Sequence, residues 1–242
     1  MADKSLAKAL KRKMGLDEEI LETAPGKRGD YSLLMNGTRR RIFEHICNHP
    51  CNHLRALSRA LDISPQTVSW HLKKLISGGL ISEMPFGDKK LYLPLKDFIN
   101  PAECRTMAVL NNDEVKNIYL YIAQHPESTQ KEICHSMDLY QQKLSIALLS
   151  LEGAGLIVHD RKGKRKLYKD SGRIKALRED FDRKGEHYRR LLKIAFEKDG
   201  LNPSMLDSPS DTILFQLDVG AGDKPMIKVK INPIEALLGP HA

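Results

Sequence analysis

The chain is poor in the residues that build covalent frameworks and metal cages. Its 242 residues include four cysteines, Cys47, Cys51, Cys104 and Cys134, spaced without a CxxC pair. That spacing leaves no disulfide framework to read, and reduced, mostly buried thiols are the expectation. Long apolar runs are missing as well. None approaches the roughly eighteen residues of a membrane helix, and the opening MADKSLAKALKRKMG lacks the continuous apolar core of a signal peptide. A cytoplasmic protein without a membrane partner is therefore expected. The sequence holds no P-loop, GxGxxG, GxSxG or HExxH. The Gly-rich stretch GAGDKP suits a hairpin turn better than a phosphate loop, so neither an enzyme nor a bound cofactor is expected. Acids are scarce over most of the chain. The formal charge is +8, and from residue 201 onward five acids face three lysines, so the first two hundred residues carry about +10. A basic body of that kind favours a polyanionic partner.

What is present is organised around residues 64–80, SPQTVSWHLKKLISGGL. Ser64 can cap a helix whose first residue is Pro65, since the serine oxygen accepts an orphan backbone N–H and proline has none to lose there. Val68, Leu72, Leu75 and Ile76 form one apolar stripe, and Gly78-Gly79 offers a left-handed stop. At 100° per residue Gln66, Trp70, Lys73 and Lys74 fall on the far face. That face combines amide and ammonium donors with a large flat ring, as a reader of the DNA major groove requires. An ordinary amphipathic surface helix has the same pattern, and context decides against it. Residues 52–61 read as a short helix with Leu54, Leu57, Ala60 and Leu61 inward, and Asp62-Ile63-Ser64 as a tight turn into the next helix. Residues 80–84 and 89–95 alternate apolar and polar around the turn Pro85-Phe86-Gly87-Asp88. A basic hairpin directly after such a helix is a wing.

TVSWHLKKLISGGLI, followed by a hairpin with Lys89-Lys90 at its return, resembles the winged helix-turn-helix of the ArsR and MarR type over residues 36–95. The resemblance implies a domain that binds duplex DNA through this helix and the wing.

Shifted by seventy-six residues, the sequence aligns with itself without a gap. Ile42 falls on Ile118, His49-Pro50 on His125-Pro126, Asp62 on Asp138, Gln66 on Gln142, Leu72 on Leu148 and Lys90-Leu91-Tyr92 on Lys166-Leu167-Tyr168. Two copies of one winged helix are expected. The second recognition helix has Gln142, Ile146, Leu149 and Ser150 where the first has Gln66, Trp70, Lys73 and Lys74, so reading polarity gives way to apolar surface suited to protein contact. Its wing is the more basic: Arg161, Lys162, Lys164, Arg165 and Lys166 surround Gly163, which suggests phosphate contact without base reading. The tandem resembles archaeal transcriptional regulators with two winged helix-turn-helix domains in one chain, a group that includes a euryarchaeal regulator of archaellum genes.

The expected architecture is mainly α with small β wings, an α+β fold. Residues 1–35 form a basic N-terminal arm, 36–97 the first winged domain, 98–111 a linker and 112–170 the second winged domain. Residues 171–242 form a C-terminal helix and β-hairpin for dimerisation or packing. The helix, over 173–198, carries a stripe of Ile174, Leu177, Phe181, Tyr188 and Leu192 that needs a cover, either a twin or its own chain. Residues 202–210 show no pattern, and strands are expected at 212–219 and 226–231. A chain cut after Lys169 is expected to be a monomer that keeps both winged folds. The candidate DNA-contacting residues are Ser64, Gln66, Thr67, Ser69, Trp70, Lys73, Lys74, Lys89, Lys90, Arg161, Lys162, Lys164 and Arg165. The expected partners are double-stranded DNA and a second copy of the chain; an interaction scaffold of the transcription machinery is the alternative. The run HICNHPCNH, with His45, Cys47, His49, Cys51 and His53, has metal-like residue types, but it crosses a helix end and the second copy keeps only His125-Pro126. A structural helix terminus is favoured, with no metal.

Overall fold

The computed structural model describes residues 32–95, 98–206, 212–218 and 224–239. Residues 1–31, most of the expected basic arm, lie outside it. Among the described residues no helix is long and apolar enough to cross a membrane.

The first unit begins with helix α1 (Gly37–Asn48), capped by Asn36, whose side chain accepts the Arg39 N–H at 3.0 Å. Its inner face is Ile42, Phe43, Ile46 and Cys47. Strand β1 (Asn52–His53) pairs with β3, so the next helix, α2 (Leu54–Leu61), starts two residues later than the sequence suggested. On α2, Leu57 is buried and Ala60 is exposed, contrary to the inward position expected for it. Asp62 adopts the left-handed conformation at φ 55° and turns the chain into α3 (Pro65–Ser77). There Ser64 caps as expected, accepting the Thr67 N–H at 3.2 Å. The wing is β2 (Ile81–Phe86) against β3 (Lys89–Pro94), closing at Phe86 opposite Lys89.

The same order recurs in α5 (Asp113–Gln124), β4 (Ser128–Thr129), α6 (Gln130–Met137), α7 (Gln141–Gly153), β5 (Ile157–Lys162) and β6 (Arg165–Asp170). The two three-stranded sheets have matching orders, β1-β3-β2 and β4-β6-β5. The left-handed positions repeat too: Cys51 with Glu127, Asp62 with Asp138, Gly79 with Gly155 and Gly87 with Gly163. Backbone conformation thus follows the internal register even where the residue type does not.

The segment expected as a linker is largely a helix, α4 (Pro101–Leu110). It has a capping box between Asn100 and Glu103 and buries Cys104, Met107 and Leu110. It ties the two units together. The Asn111 amide donates to the Pro50 carbonyl at 2.9 Å, and Arg173 Nε donates to Thr106 Oγ1 at 3.0 Å.

The tail takes one of the two covers left open for its helix and adds a strand that the sequence did not show. Helix α8 (Arg173–Lys198) lies on its own chain, with Phe181, Tyr188, Leu192 and Phe196 at 0–1% exposure. Phe196 meets Phe43 of α1 edge-on at 5.8 Å between ring centres, and Phe98 stacks on Tyr188 at 3.9 Å. Residues 202–206, which showed no pattern, form β7 (Asn202–Leu206), so the expected hairpin is a three-stranded sheet with β8 (Thr212–Asp218) and β9 (Met226–Lys230). Pro203 concealed that strand, because proline is tolerated where a strand has a neighbour on one side only. The opposite edge, β9, is covered by α1: the N–H groups of Lys228 and Lys230 donate to Glu44 Oε1 and Asn48 Oδ1 at 2.9 and 2.8 Å. Gly185 lets α8 approach closely, since a Cβ there would stand 2.6 Å from Ile231 Cγ2. The short helix α9 (Pro233–Leu238) follows and buries Ile234.

Candidate nucleic-acid interface

Helix α3 buries Val68, His71, Leu72 and Leu75 and so turns its opposite side outward. Of the expected readers, Ser64, Gln66, Lys73 and Lys74 are exposed, whereas Thr67, Ser69 and Trp70 are half-buried. Trp70 is not a free ring. The Lys74 ammonium lies 5.5 Å from its centroid and the Arg39 guanidinium 5.9 Å, while His71 meets it edge-on at 4.7 Å. Arg39 is 2% exposed, and its Nε donates to the Leu33 carbonyl at 2.8 Å. A helical wheel cannot show this, because the cation beneath the ring comes from another helix. Trp70 is a platform that holds Lys74 by cation–π attraction. Ser64 is committed as well: besides capping, its Oγ shares a 2.8 Å hydrogen bond with Thr67 Oγ1.

On the first wing Lys89 and Lys90 are exposed, and Lys90 pairs with Glu83 across the hairpin. Two further cations were missed in the sequence. Arg55 and Arg59 are exposed on α2 and share a cleft with Lys89 and Lys90. Their i, i+4 spacing in LRALSRAL was the available signal, overshadowed by the apolar half of the same helix.

The corresponding helix of the second unit, α7, places Tyr140 where the first unit has the capping Ser64, and Tyr140 makes no side-chain cap. Tyr140, Ile146 and Leu149 are 85%, 63% and 69% exposed. The charges of α7 are engaged: Lys143 pairs with Glu114 at 2.6 Å, and Glu152 with His159. Its outward stripe of Gln142, Ile146, Leu149 and Gly153 is neutral. At the second wing Arg161, Lys162, Lys164, Arg165 and Lys166 are all exposed, and among the described residues none is in an ion pair. The structure does not gather the thirteen candidates into one patch of chain: nine lie on the first unit and four on the second wing.

The histidine and cysteine run is split by the helix end. The rings of His45 and His49 lie 4.9 Å apart, and burial, then His49, holds His45 down to about 4. Burial, helped by Lys116, also lowers His49. Cys47 and Cys51 face the core, where burial pushes the Cys47 thiol up to about 12 and raises Cys51 well above the usual range. These are unreactive thiols. His53 points elsewhere, its Nδ1 accepting the Ala56 N–H as the cap of α2. Among the described residues no group of three or more His, Cys, Asp or Glu could hold a metal ion.

A winged helix-turn-helix DNA-binding family matches residues 35–82, the stretch from the cap of α1 to the start of the wing. An uncharacterized HTH-type transcriptional regulator of Methanocaldococcus jannaschii is 30% identical over 136 residues, 56% of this chain and 34% of that protein. The chain thus aligns with about a third of the length of this curated relative. Among solved structures, a chain of the endosomal complex ESCRT-II (VPS22/VPS25/VPS36) is similar over 57% of this chain and 66% of that one. Its TM-score of 0.25 and 14% identity carry no argument. The chain therefore contains a winged helix-turn-helix domain of the DNA-binding kind within a mixed α+β fold.

Proposed function

We propose that the protein is a cytoplasmic, sequence-specific transcriptional regulator that binds double-stranded DNA, reading the major groove mainly through α3 and holding phosphates with the wings. One observation carries this reading: α3, inside the stretch that matches the DNA-binding family, presents Gln66, Lys73 and Lys74 outward with the Lys89 wing beside it. In this reading residues 36–97 and 112–170 are two winged domains joined through 98–111. Residues 1–31 are a basic arm on the DNA backbone, whereas 32–35, expected in that arm, dock on the fold, with Leu34 buried and Ser32 hydrogen-bonded to Asp199; 171–242 are a packing element. The identity with an archaeal regulator supports placement among archaeal tandem winged regulators. Selection of bound fragments from genomic DNA gives the operator, and recovery of archaellum promoters would identify the archaellum regulator.

The two recognition helices are unequal in this reading. Gln66→Ala should cost about 1 to 3 kcal/mol of specific binding, the worth of a base-edge hydrogen bond. Lys73→Ala should weaken the same complex, and Ser150→Ala should do little. A band-shift titration showing equal losses in both units would sink the asymmetry.

A homodimer belongs to the same proposal, because one winged reader spans only a short half-site and a twofold pair reads a pseudo-palindrome. With the stripe of α8 covered by its own chain, the neutral outward face of α7 is the better contact. Light scattering should give a dimer for the full chain and a monomer for Ile146→Asp/Leu149→Asp. A wild-type monomer at micromolar concentration would refute it. Exposed Ile146 and Leu149 are also what favours the second reading, a protein-binding scaffold; there the Gln66 and Lys73 variants would leave function intact.

A further inference from the structure

Between α2 and the first wing lies a cleft of about 590 Å³, with His53, Arg55 and Arg59 on the helix side and Asp88, Lys89 and Lys90 on the wing. Four basic side chains share it with one carboxylate. Lys90 is engaged with Glu83, while among the described residues Arg55, Arg59 and Lys89 have no carboxylate partner. Like charges converging on a concave place repel one another until an anion enters, and low-dielectric walls focus their field. His53 reports that field. Burial first, then Lys89, Arg59 and Arg55, hold its imidazole below the ordinary histidine range, with Asp88 alone opposing them. Because Nδ1 accepts the Ala56 N–H at 3.2 Å, the neutral ring carries its proton on Nε2 and has one donor left to offer. Guanidinium forks and an ammonium together match the oxygens of a phosphate, the forks in bidentate fashion.

We infer that this cleft is a phosphate site, in which Arg55, Arg59 and Lys89 bind the oxygens of a phosphate or oligophosphate group and His53 donates to them. A free phosphorylated small molecule and the backbone of duplex DNA offer the same chemistry. Only the second source rests on the proposed function.

The test uses the full chain and two probes, pyrophosphate and a random-sequence duplex, followed by calorimetry and by the His53 imidazole resonances. Pyrophosphate should bind one to one and shift those resonances, and Arg55→Ala/Lys89→Ala should weaken it by about tenfold or more. Lys175→Ala, an exposed cation on α8 away from both wings, should leave it unchanged. Both replaced side chains are exposed, so an unaltered circular dichroism spectrum will certify the fold. If pyrophosphate does not bind but the double variant weakens the duplex about tenfold, the site stands and its phosphates come from DNA. If the wild type ignores duplex yet binds pyrophosphate at this cleft, the DNA reading fails and the site survives. Binding of either probe that is indifferent to the double variant, or no binding of either, overturns the site.

Discussion

A chain ending at Lys169 should fail to keep its first winged unit folded, instead of yielding the intact monomer that the sequence suggested. The tail supplies a large part of that unit's core. Phe181, Tyr188, Leu192 and Phe196 are at 0–1% exposure, with Phe196 against Phe43 and Tyr188 stacked on Phe98. Burying a large apolar side chain contributes about 1.5 to 3 kcal/mol, so four contribute about 6 to 12, comparable with the whole stability of a domain. Cutting after Lys169 also uncovers the Phe43 side of α1. The milder Phe196→Ala should cost about 3 to 5 kcal/mol, through the buried ring it removes and the cavity it leaves behind. Trp70 is the single tryptophan and sits in the first unit, so its fluorescence in a urea titration follows that unit alone. A cooperative, wild-type-like transition in the truncated chain would show that the winged units stand without the tail.

The parts of the fold that local chemistry dictates were legible. Ser64 before Pro65 and the glycine at each wing tip name their own positions, because orphan N–H groups and positive φ angles admit few residue types. The recurring order of helices and strands was legible for the same reason, since the two stretches keep apolar period and turn residues together. Helix α4 carries a local signal of equal strength with two meanings. Asn100-Pro101 with Glu103 is a capping box, yet Pro101 suits a break in the chain as well as the first residue of a helix. What local pattern cannot supply is the identity of the covering surface. The stripe of α8 announces that it will be buried but not against what, and only the structure places it on α1 and Phe98. Trp70 repeats the lesson within the candidate site: a helical wheel faces it outward, and Arg39 from α1 makes it a half-buried platform. Arg55 and Arg59 become candidates only because the wing lies opposite α2.

Removing the charge of the second wing, as Lys162→Ala/Lys164→Ala/Arg165→Ala, should weaken specific and random duplexes alike. The neighbouring helix offers little for base discrimination: its outward face sets Gln142 as a single amide beside exposed Ile146 and Leu149, and its charges are already paired. The wing tip, by contrast, holds five exposed cations without a carboxylate partner among the described residues. Cations of that kind displace condensed counterions when they meet phosphates, so the slope of log K against log salt should shrink by about 0.9 for each phosphate no longer neutralised, or up to about 2.7 for the triple variant. Gln66→Ala offers the opposite signature, because a neutral base-edge donor changes affinity for the operator and leaves the salt slope in place. Measured side by side over a salt series, the two variants separate reading from holding. An unchanged slope in the triple variant would mean that the second wing stays in solvent when DNA is bound, leaving the exposed face of α7 as what the second unit contributes.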